Sequence, residues 1–396
     1  MNINILPGES LWFYSNLFQI PLPLIIDSNL EINPNQIQVG QIVKIPGFIA
    51  EAYTIKPGDN LWTISQYQNV SFPQLLRLNH HINVNQLQIG SEILLPRRVT
   101  WRIVNGKQPY TYELFIQNLR QLQYIYPFMS TFQIGESVMG KTIPEVVIGK
   151  GSKKVHVNGS FHANEWITTP IMMTFLNDYL LALTNQQPIR GLFMQPYYNT
   201  TQLSLVPMVN PDGVNLVLNG APEESPYREQ VLAINNQNTN FSTWKANIRG
   251  VDLNNQFPAN WEIEKERKEQ QPAPRDYPGE APLTEPEAVA MAELTANRQF
   301  DRVLAFHTQG EVIYWGYQNL EPPAAETIVN EFARVSGYEP VQTIDSHAGY
   351  KDWFILNWRR PGFTVELGTG INPLPLSQFD EIYEETLGIF LANLYL

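Results

Sequence analysis

Apolar and polar positions divide the chain into two regimes. Up to about residue 98, short apolar runs are separated by turns rich in Asn, Gln, Pro and Gly; from about Trp101 the runs lengthen into alternating strand and helix periods. The early regime is a repeat, since residues 5 to 46 align without a gap with residues 55 to 96. Pro7-Gly8 and Leu11-Trp12 match Pro57-Gly58 and Leu61-Trp62, and Asn29, Asn35-Gln36, Gly40 and Pro46 match Asn79, Asn85-Gln86, Gly90 and Pro96. Each copy predicts a small βααβ unit. A short strand leads into Pro-Gly-Glu/Asp-Ser/Asn, whose last residues cap a helix carrying Leu-Trp; a second apolar helix ends near Asn29 or Asn79, and a Gly-led strand closes the unit. A unit this small buries little core, so Trp12 and Trp62 are expected inside it.

The later regime predicts a helix from Tyr110 to Tyr126, strands over Thr131–Val138 and Ile143–Ile148, and a β-branched strand through Val155, His156 and Val157 ending at Gly159. A long helix then runs from about Pro170 to Leu183, followed by an apolar strand, Leu203–Met208, that enters Asn210-Pro211-Asp212-Gly213. Val303–Thr308 and Pro361–Gly368 read as further strands, and Tyr350-Lys351-Asp352-Trp353 precedes a helix. Strands alternating with helices imply an α/β domain with a mixed, largely parallel sheet and helices on both faces. Residues 221 to 245 and 262 to 282 are polar and read as solvated surface loops, with lining of a cleft as the alternative. The division is therefore 1–47 and 51–97 for the repeats and 100–396 for the larger domain.

Composition narrows the chemistry. There is no cysteine among 396 residues, so a transition metal must be held by His, Asp or Glu, and there are only six histidines. A net charge of −12 argues against nucleic acid or an anionic membrane as a partner. No apolar run is long enough to span a membrane and no export signal is visible at Met1, which predicts a cytoplasmic or spore-associated protein.

His162 and Glu165 stand three residues apart just after the His156 strand, and both can reach one metal ion from a single turn. Such a pair arises by chance about 0.4 times in a chain of this composition, so it needs support from elsewhere. His307 ends an apolar strand in the same way, and Glu366 interrupts another between Val365 and Leu367, where an unpartnered carboxylate is costly. His156, with apolar neighbours, reads as a hydrogen-bonded core residue; His80 and His81 read as solvated, and His347 as a neighbour of the cleft without a catalytic role.

Pro57-Gly58-Asp59-Asn60-Leu61-Trp62, Leu75-Leu76-Arg77-Leu78-Asn79 and Leu87-Gln88-Ile89-Gly90-Ser91 resemble the LysM module, and the first copy is similar. The resemblance implies recognition of N-acetylglucosamine-containing glycans, with Gly8, Glu9, Ser10 and Gly58, Asp59, Asn60 as contacts. The order His162-x-x-Glu165, Asn210-Pro211-Asp212-Gly213, Arg249 then Asn254, His307 and Phe363-Thr364-Val365-Glu366-Leu367 resembles the zinc metallocarboxypeptidase family. It implies one zinc ion per chain on His162, Glu165 and His307, Glu366 as general base and then acid, and Arg249 polarising the scissile carbonyl.

Ordinary members hold a peptide's C-terminal carboxylate with an Asn-Arg pair, whereas here Asn254 is followed by Asn255. By the same resemblance Lys351 lies at the floor of the pocket on the amine side of the cut bond and favours a carboxylate there. With two glycan modules ahead of it, the layout is similar to the γ-D-glutamyl-meso-diaminopimelate peptidases of spore-forming bacteria. The implied substrate is a peptidoglycan stem peptide. A carboxypeptidase acting on ordinary C-termini, with Arg267, Arg275 or Arg359 replacing the missing arginine, and a catalytically silent glycan-binding protein are the two alternatives.

Overall fold

In the computed structural model, which describes Met1–Leu396, Ser10 and Asn60 begin the first helix of each repeat by accepting hydrogen bonds from the backbone N–H groups of Phe13 (3.1 Å) and Thr63 (2.9 Å). The helices Leu11–Phe18 and Leu61–Tyr67 follow, then Leu22–Asp27 and Phe72–Leu78. Strand β1 (Asn2–Asn4) pairs antiparallel with β2 (Ile42–Lys44), and β3 (Phe48–Thr54) with β4 (Glu92–Arg98). Both copies are therefore βααβ units, as their pattern predicts.

The repeated asparagines explain themselves. Asn29 Nδ2 donates to the carbonyls of Ile25 (2.7 Å) and Lys44 (2.9 Å) while its Oδ1 accepts from Lys44 N (2.7 Å). Asn79 does the same with Leu75, Leu94 and Leu94 N. Each buried amide thus bolts the second helix to the closing strand.

The tryptophans depart from expectation. Trp12 is 66% exposed and Trp62 57% exposed. Leu11, Tyr14 and Phe18 in the first repeat, and Leu61 and Ile64 in the second, are the buried positions. A helix turns about 100° per residue, so burying Leu11 with Tyr14 and Leu61 with Ile64, three residues apart in each case, turns the adjacent tryptophan toward solvent. Arg77, on the second repeat's second helix, reaches into the first repeat and bonds Glu9, the Tyr14 hydroxyl (2.9 Å) and the Asn4 carbonyl. These repeats lie in one compact unit, Met1–Ile103, together with Leu119–Ser130 and Asn177–Gln195.

The second unit carries eight strands: β5 (Ser130–Glu136, whose first residue falls in the first unit), β6 (Thr142–Ile148), β7 (Lys153–Asn158), β8 (Thr201–Val206), β9 (Arg302–Thr308), β10 (Val312–Tyr314), β11 (Glu339–Val341) and β12 (Gly362–Leu367). They form one sheet in the order β11-β10-β12-β9-β7-β8-β6-β5. The pairs β10/β11, β12/β9, β9/β7 and β7/β8 are parallel, whereas β10/β12 and β6/β8 are antiparallel, giving the mixed, largely parallel α/β sheet the alternation implies. All seven residues of β9 are buried, as befits a central parallel strand. Phe161, Leu253, Phe257, Tyr350 and Trp353 pack together in the core beneath the site, each contributing about 2 to 3 kcal/mol on burial.

The predicted helices from Tyr110 and Pro170 are present as Tyr112–Ile125 and Thr168–Asn185. Tyr350-Lys351-Asp352-Trp353 does not precede a helix; it forms the first turn of Tyr350–Trp358. The two polar stretches are not plain loops either, for they hold the helices Tyr227–Ile234 and Trp261–Arg267. In the latter the charges pair along one face: buried Glu264 takes Arg267 and Lys268, three and four residues on. No helix is long and apolar enough to cross a membrane.

Candidate active site

Three strands and one turn deliver the candidate ligands. β7 ends at Asn158, and the chain passes through Ser160, at φ 52°, into a single 3-10 turn, Ala163–Glu165. His162 precedes that turn and Glu165 closes it, so both side chains leave the same end of the sheet. His307 is the penultimate residue of β9, and the parallel register of β9 with β12 sets Glu366 directly beside it.

The donor atoms converge. His162 Nδ1 lies 2.9 Å from Glu165 Oε1, His307 Nδ1 lies 2.9 Å from Glu165 Oε2, and the two imidazole Nδ1 atoms are 3.1 Å apart. All three residues are buried and their donor atoms lie within 4.8 Å of one another. Two imidazole lone pairs pointed at each other beside a carboxylate repel unless a cation lies among them, so this donor set fits a metal ion. Two imidazoles and one carboxylate with room for a further oxygen ligand is the set of a catalytic zinc site.

Asp252 orients the first of these ligands. Its Oδ1 lies 3.2 Å from His162 Nε2, and its Oδ2 accepts from Lys245 Nζ at 2.8 Å. Burial alone would raise its pKa, but Lys245 and then His162 hold the carboxyl well below the usual range, so it is an anion. With Nε2 on Asp252, the imidazole turns Nδ1 toward Glu165 and His307, the two residues that would share a metal ion with it. Lys245 is raised above an ordinary lysine by Asp252 and Asp276 despite burial, so it stays charged. Burial pushes the Glu366 carboxyl up, above the ordinary carboxylate range, the direction a general base at neutral pH requires.

Two cavities meet at Glu366. The larger, of about 450 Å³, is lined by His162, Glu165, Lys245, Arg275 and Glu366 among others. The smaller, of about 100 Å³, runs from Glu366 past Asn254 to Lys351 and Asp352. Tyr314, Ile344 and Glu366 line both.

The structure thus brings together His162, Glu165, His307, Glu366, Asn254 and Lys351. It does not bring Arg249. That guanidinium is half-exposed, sits 3.4 Å from Glu285 Oε2, and lines neither cavity; Lys245, four residues earlier, is the cation facing the ligands. The correction has a physical cause, since Asn247 Oδ1 accepts from Arg249 N and Val251 N and so turns the intervening chain away. Asn255 also lines neither cavity; it is buried, and its Oδ1 accepts from Lys268 Nζ at 2.7 Å. Of the three substitute arginines, Arg275 lines the larger cavity, Arg267 pairs with Glu264 and Asp345, and Arg359 caps the end of the helix Tyr350–Trp358. His156 is a core residue on Ser204 (2.9 Å), His80 and His81 are exposed, and His347 bonds the Tyr317 hydroxyl (3.0 Å).

In the repeats, Gly8 and Gly58 sit at positive φ with open space around them. The flanking side chains bond to neighbouring groups of their own repeats and, at Glu9, to Arg77. Glu9 accepts from Leu6 N (2.8 Å) and Arg77, Asp59 from Lys56 N (2.7 Å) and Tyr53 (2.9 Å), and Ser10 and Asn60 cap helices.

Comparison with known proteins gives two matching family descriptions, zinc carboxypeptidase over residues 115–388 and LysM domain over 5–46 and 53–96. The chain is 66% identical, over all 396 residues and the whole of the relative, to gamma-D-glutamyl-L-diamino acid endopeptidase 1 of Lysinibacillus sphaericus. It is 48% identical over 283 residues, 70% of this chain and 75% of the other, to the uncharacterized protein YqgT of Bacillus subtilis (strain 168). Among solved structures, carboxypeptidase A from Helicoverpa armigera superposes with a TM-score of 0.57 at 18% identity, covering 73% of each chain, which shows a shared fold.

Proposed function

The chain belongs to the zinc carboxypeptidase family, carries two LysM modules ahead of that domain, and from this premise we propose that it hydrolyses the amide between the γ-carboxyl of D-glutamate and a diamino acid, meso-diaminopimelate, in peptidoglycan stem peptides. The LysM modules hold it on the N-acetylglucosamine-containing glycan, raising the local concentration of substrate without adding catalytic contacts. It acts on the cell wall from the cytoplasm or the spore.

The observation that carries this reading is the floor of the smaller cavity. Lys351 Nζ is buried, 2.7 Å from Asp352 Oδ1 and 2.8 Å from the Gly316 carbonyl, which leaves one ammonium proton without a partner. A diaminopimelate side chain ends in an ammonium and a carboxylate on one carbon. A floor of one cation and one anion matches both, whereas a plain aliphatic side chain desolvates that ion pair without a polar partner and a basic one matches Asp352 alone. The full-length identity to an endopeptidase for γ-D-glutamyl-L-diamino acid bonds points the same way.

Zinc on His162, Glu165 and His307 would supply a Lewis acid that acidifies water and polarises a carbonyl. The protein's own groups do the rest. Glu366, beside His307, takes a proton from the attacking water and returns it to the departing amine, which lies in the smaller cavity on its other side. Lys245 faces the position where negative charge grows on the former carbonyl oxygen, and Asp252 keeps both Lys245 and His162 in place.

Mass spectrometry of L-Ala-γ-D-Glu-meso-diaminopimelate incubated with the protein tests the reading. Release of free diaminopimelate, abolished by a chelator and by Glu366→Gln, is the expected result. Trimming of ordinary α-linked C-termini with the tripeptide left intact would replace it with the carboxypeptidase alternative.

A further inference from the structure

We propose that Arg275 binds the free α-carboxylate of the D-glutamyl residue, on the acyl side of the scissile bond, and so selects a γ-linked glutamate. The proposal rests on the functional reading above and assigns the half of the substrate that reading leaves unplaced.

The two cavities fix the direction. Glu366 protonates the leaving amine, and Lys351 and Asp352 close the smaller cavity, so the diamino acid lies there. The acyl half then occupies the larger cavity, where His162, Glu165 and Lys245 stand. Arg275 is on that wall and not on the wall of the smaller cavity, so it is not placed to replace an arginine at position 255 in holding a C-terminal carboxylate.

Its guanidinium is free at the useful edge. Arg275 Nε donates to Asp276 Oδ2 at 2.9 Å, and the side chain is 62% exposed, with no protein acceptor on its two terminal nitrogens. That edge takes a carboxylate through two parallel hydrogen bonds. The other cation on the wall has no such freedom, because Lys245 is held by Asp252 (2.8 Å) and Asp276 (3.3 Å). Asp276 therefore tethers both cations, one aimed at the reacting carbonyl and one left open farther out.

A γ-linkage supplies a matching anion. The glutamyl α-carbon, at the far end of a short methylene chain from the scissile carbonyl, bears a free carboxylate that an α-linked peptide lacks there. Its amidated form, isoglutamine, has the same shape and no charge.

The test uses full-length, zinc-loaded protein and two substrates, L-Ala-γ-D-Glu-meso-diaminopimelate and its D-isoglutamine counterpart, with wild type and Arg275→Gln. Wild type is expected to prefer the carboxylate substrate in kcat/KM by about 10- to 100-fold, the range of a charged hydrogen bond. Arg275→Gln should lose that factor on the carboxylate substrate and keep its rate on the amide, with zinc content unchanged. Equal losses on both substrates, or no preference by wild type, overturn the proposal while leaving the proposed activity intact. Failure of wild type to cleave either substrate overturns the activity and the proposal together.

Discussion

Lys245 Nζ and Asp252 Oδ2 are 2.8 Å apart, and the other oxygen of the same aspartate is 3.2 Å from His162 Nε2. One carboxylate thus contacts both a candidate metal ligand and the cation proposed to face the reacting carbonyl. The two functions separate by mutation. Lys245→Gln should lower kcat by about 100- to 1000-fold, as loss of an oxyanion donor does, with zinc still bound. Asp252→Asn should instead weaken zinc by about 10- to 100-fold. Zinc titration against a chromophoric chelator, run beside steady-state kinetics, distinguishes them; full activity in Lys245→Gln would remove Lys245 from the chemistry.

The convergence of His162, Glu165 and His307 exists only in the folded chain, because they are brought from two separate segments. Zinc must therefore stabilise the fold by mass action, by about 2.7 kcal/mol at a hundredfold excess over Kd. A thermal melt of chelator-treated protein should rise in Tm when zinc is restored. His307→Gln should abolish most of that rise; an unchanged response would place the ion elsewhere.

Acid should destabilise the sheet through His156. Ser204 Oγ donates to Glu145 Oε1 (2.8 Å), so it must accept from His156 Nδ1–H, which leaves buried Nε2 bare and without a partner. Burial holds the His156 pKa down to about 3, against 6.5 for the free side chain. The unfolded chain gains this proton below pH 6.5 and the folded one does not until about pH 3, so stability falls as pH drops through that window. The loss amounts to about 2 kcal/mol by pH 5. His156→Phe, which keeps the stack on Phe300, should flatten that part of the pH–stability curve; an unaltered slope between pH 6.5 and 5 would exclude His156 as its source.

Much of the site is visible in the sequence because buried chemistry breaks apolar patterns. Glu366 stands between Val365 and Leu367, and His307 ends an apolar strand. Asp252, between Val251 and Leu253, bears the same mark, and that signal could have singled it out. Lys245 bears none. It lies in a polar stretch that reads as surface, and only the fold brings it to Asp252 and Asp276. Arg249 is the error this produces: an arginine near the right segment, turned away by Asn247. The helices Pro286–Arg298, Ala324–Ser336 and Phe379–Tyr395 are absent from the sequence reading, and so are the three-residue strands β10 and β11, which are too short to show a period.

Identity between repeats carries a similar ambiguity, since Trp12/Trp62 and Asn29/Asn79 recur equally but lie on opposite sides of the solvent boundary. Asn79 is buried and makes three hydrogen bonds, so Asn79→Ala strands Leu94 N, Leu94 O and a cavity, and should cost about 2 to 4 kcal/mol. Trp12, 66% exposed, should tolerate Ser within about 1 kcal/mol. Denaturant melts of the full chain, followed by a probe placed in the repeats, measure both. If Trp12→Ser proved the more damaging, the exposed indole would have to be covered in solution; if Asn79→Ala were silent, the helix-to-strand bolt would not hold the repeat together.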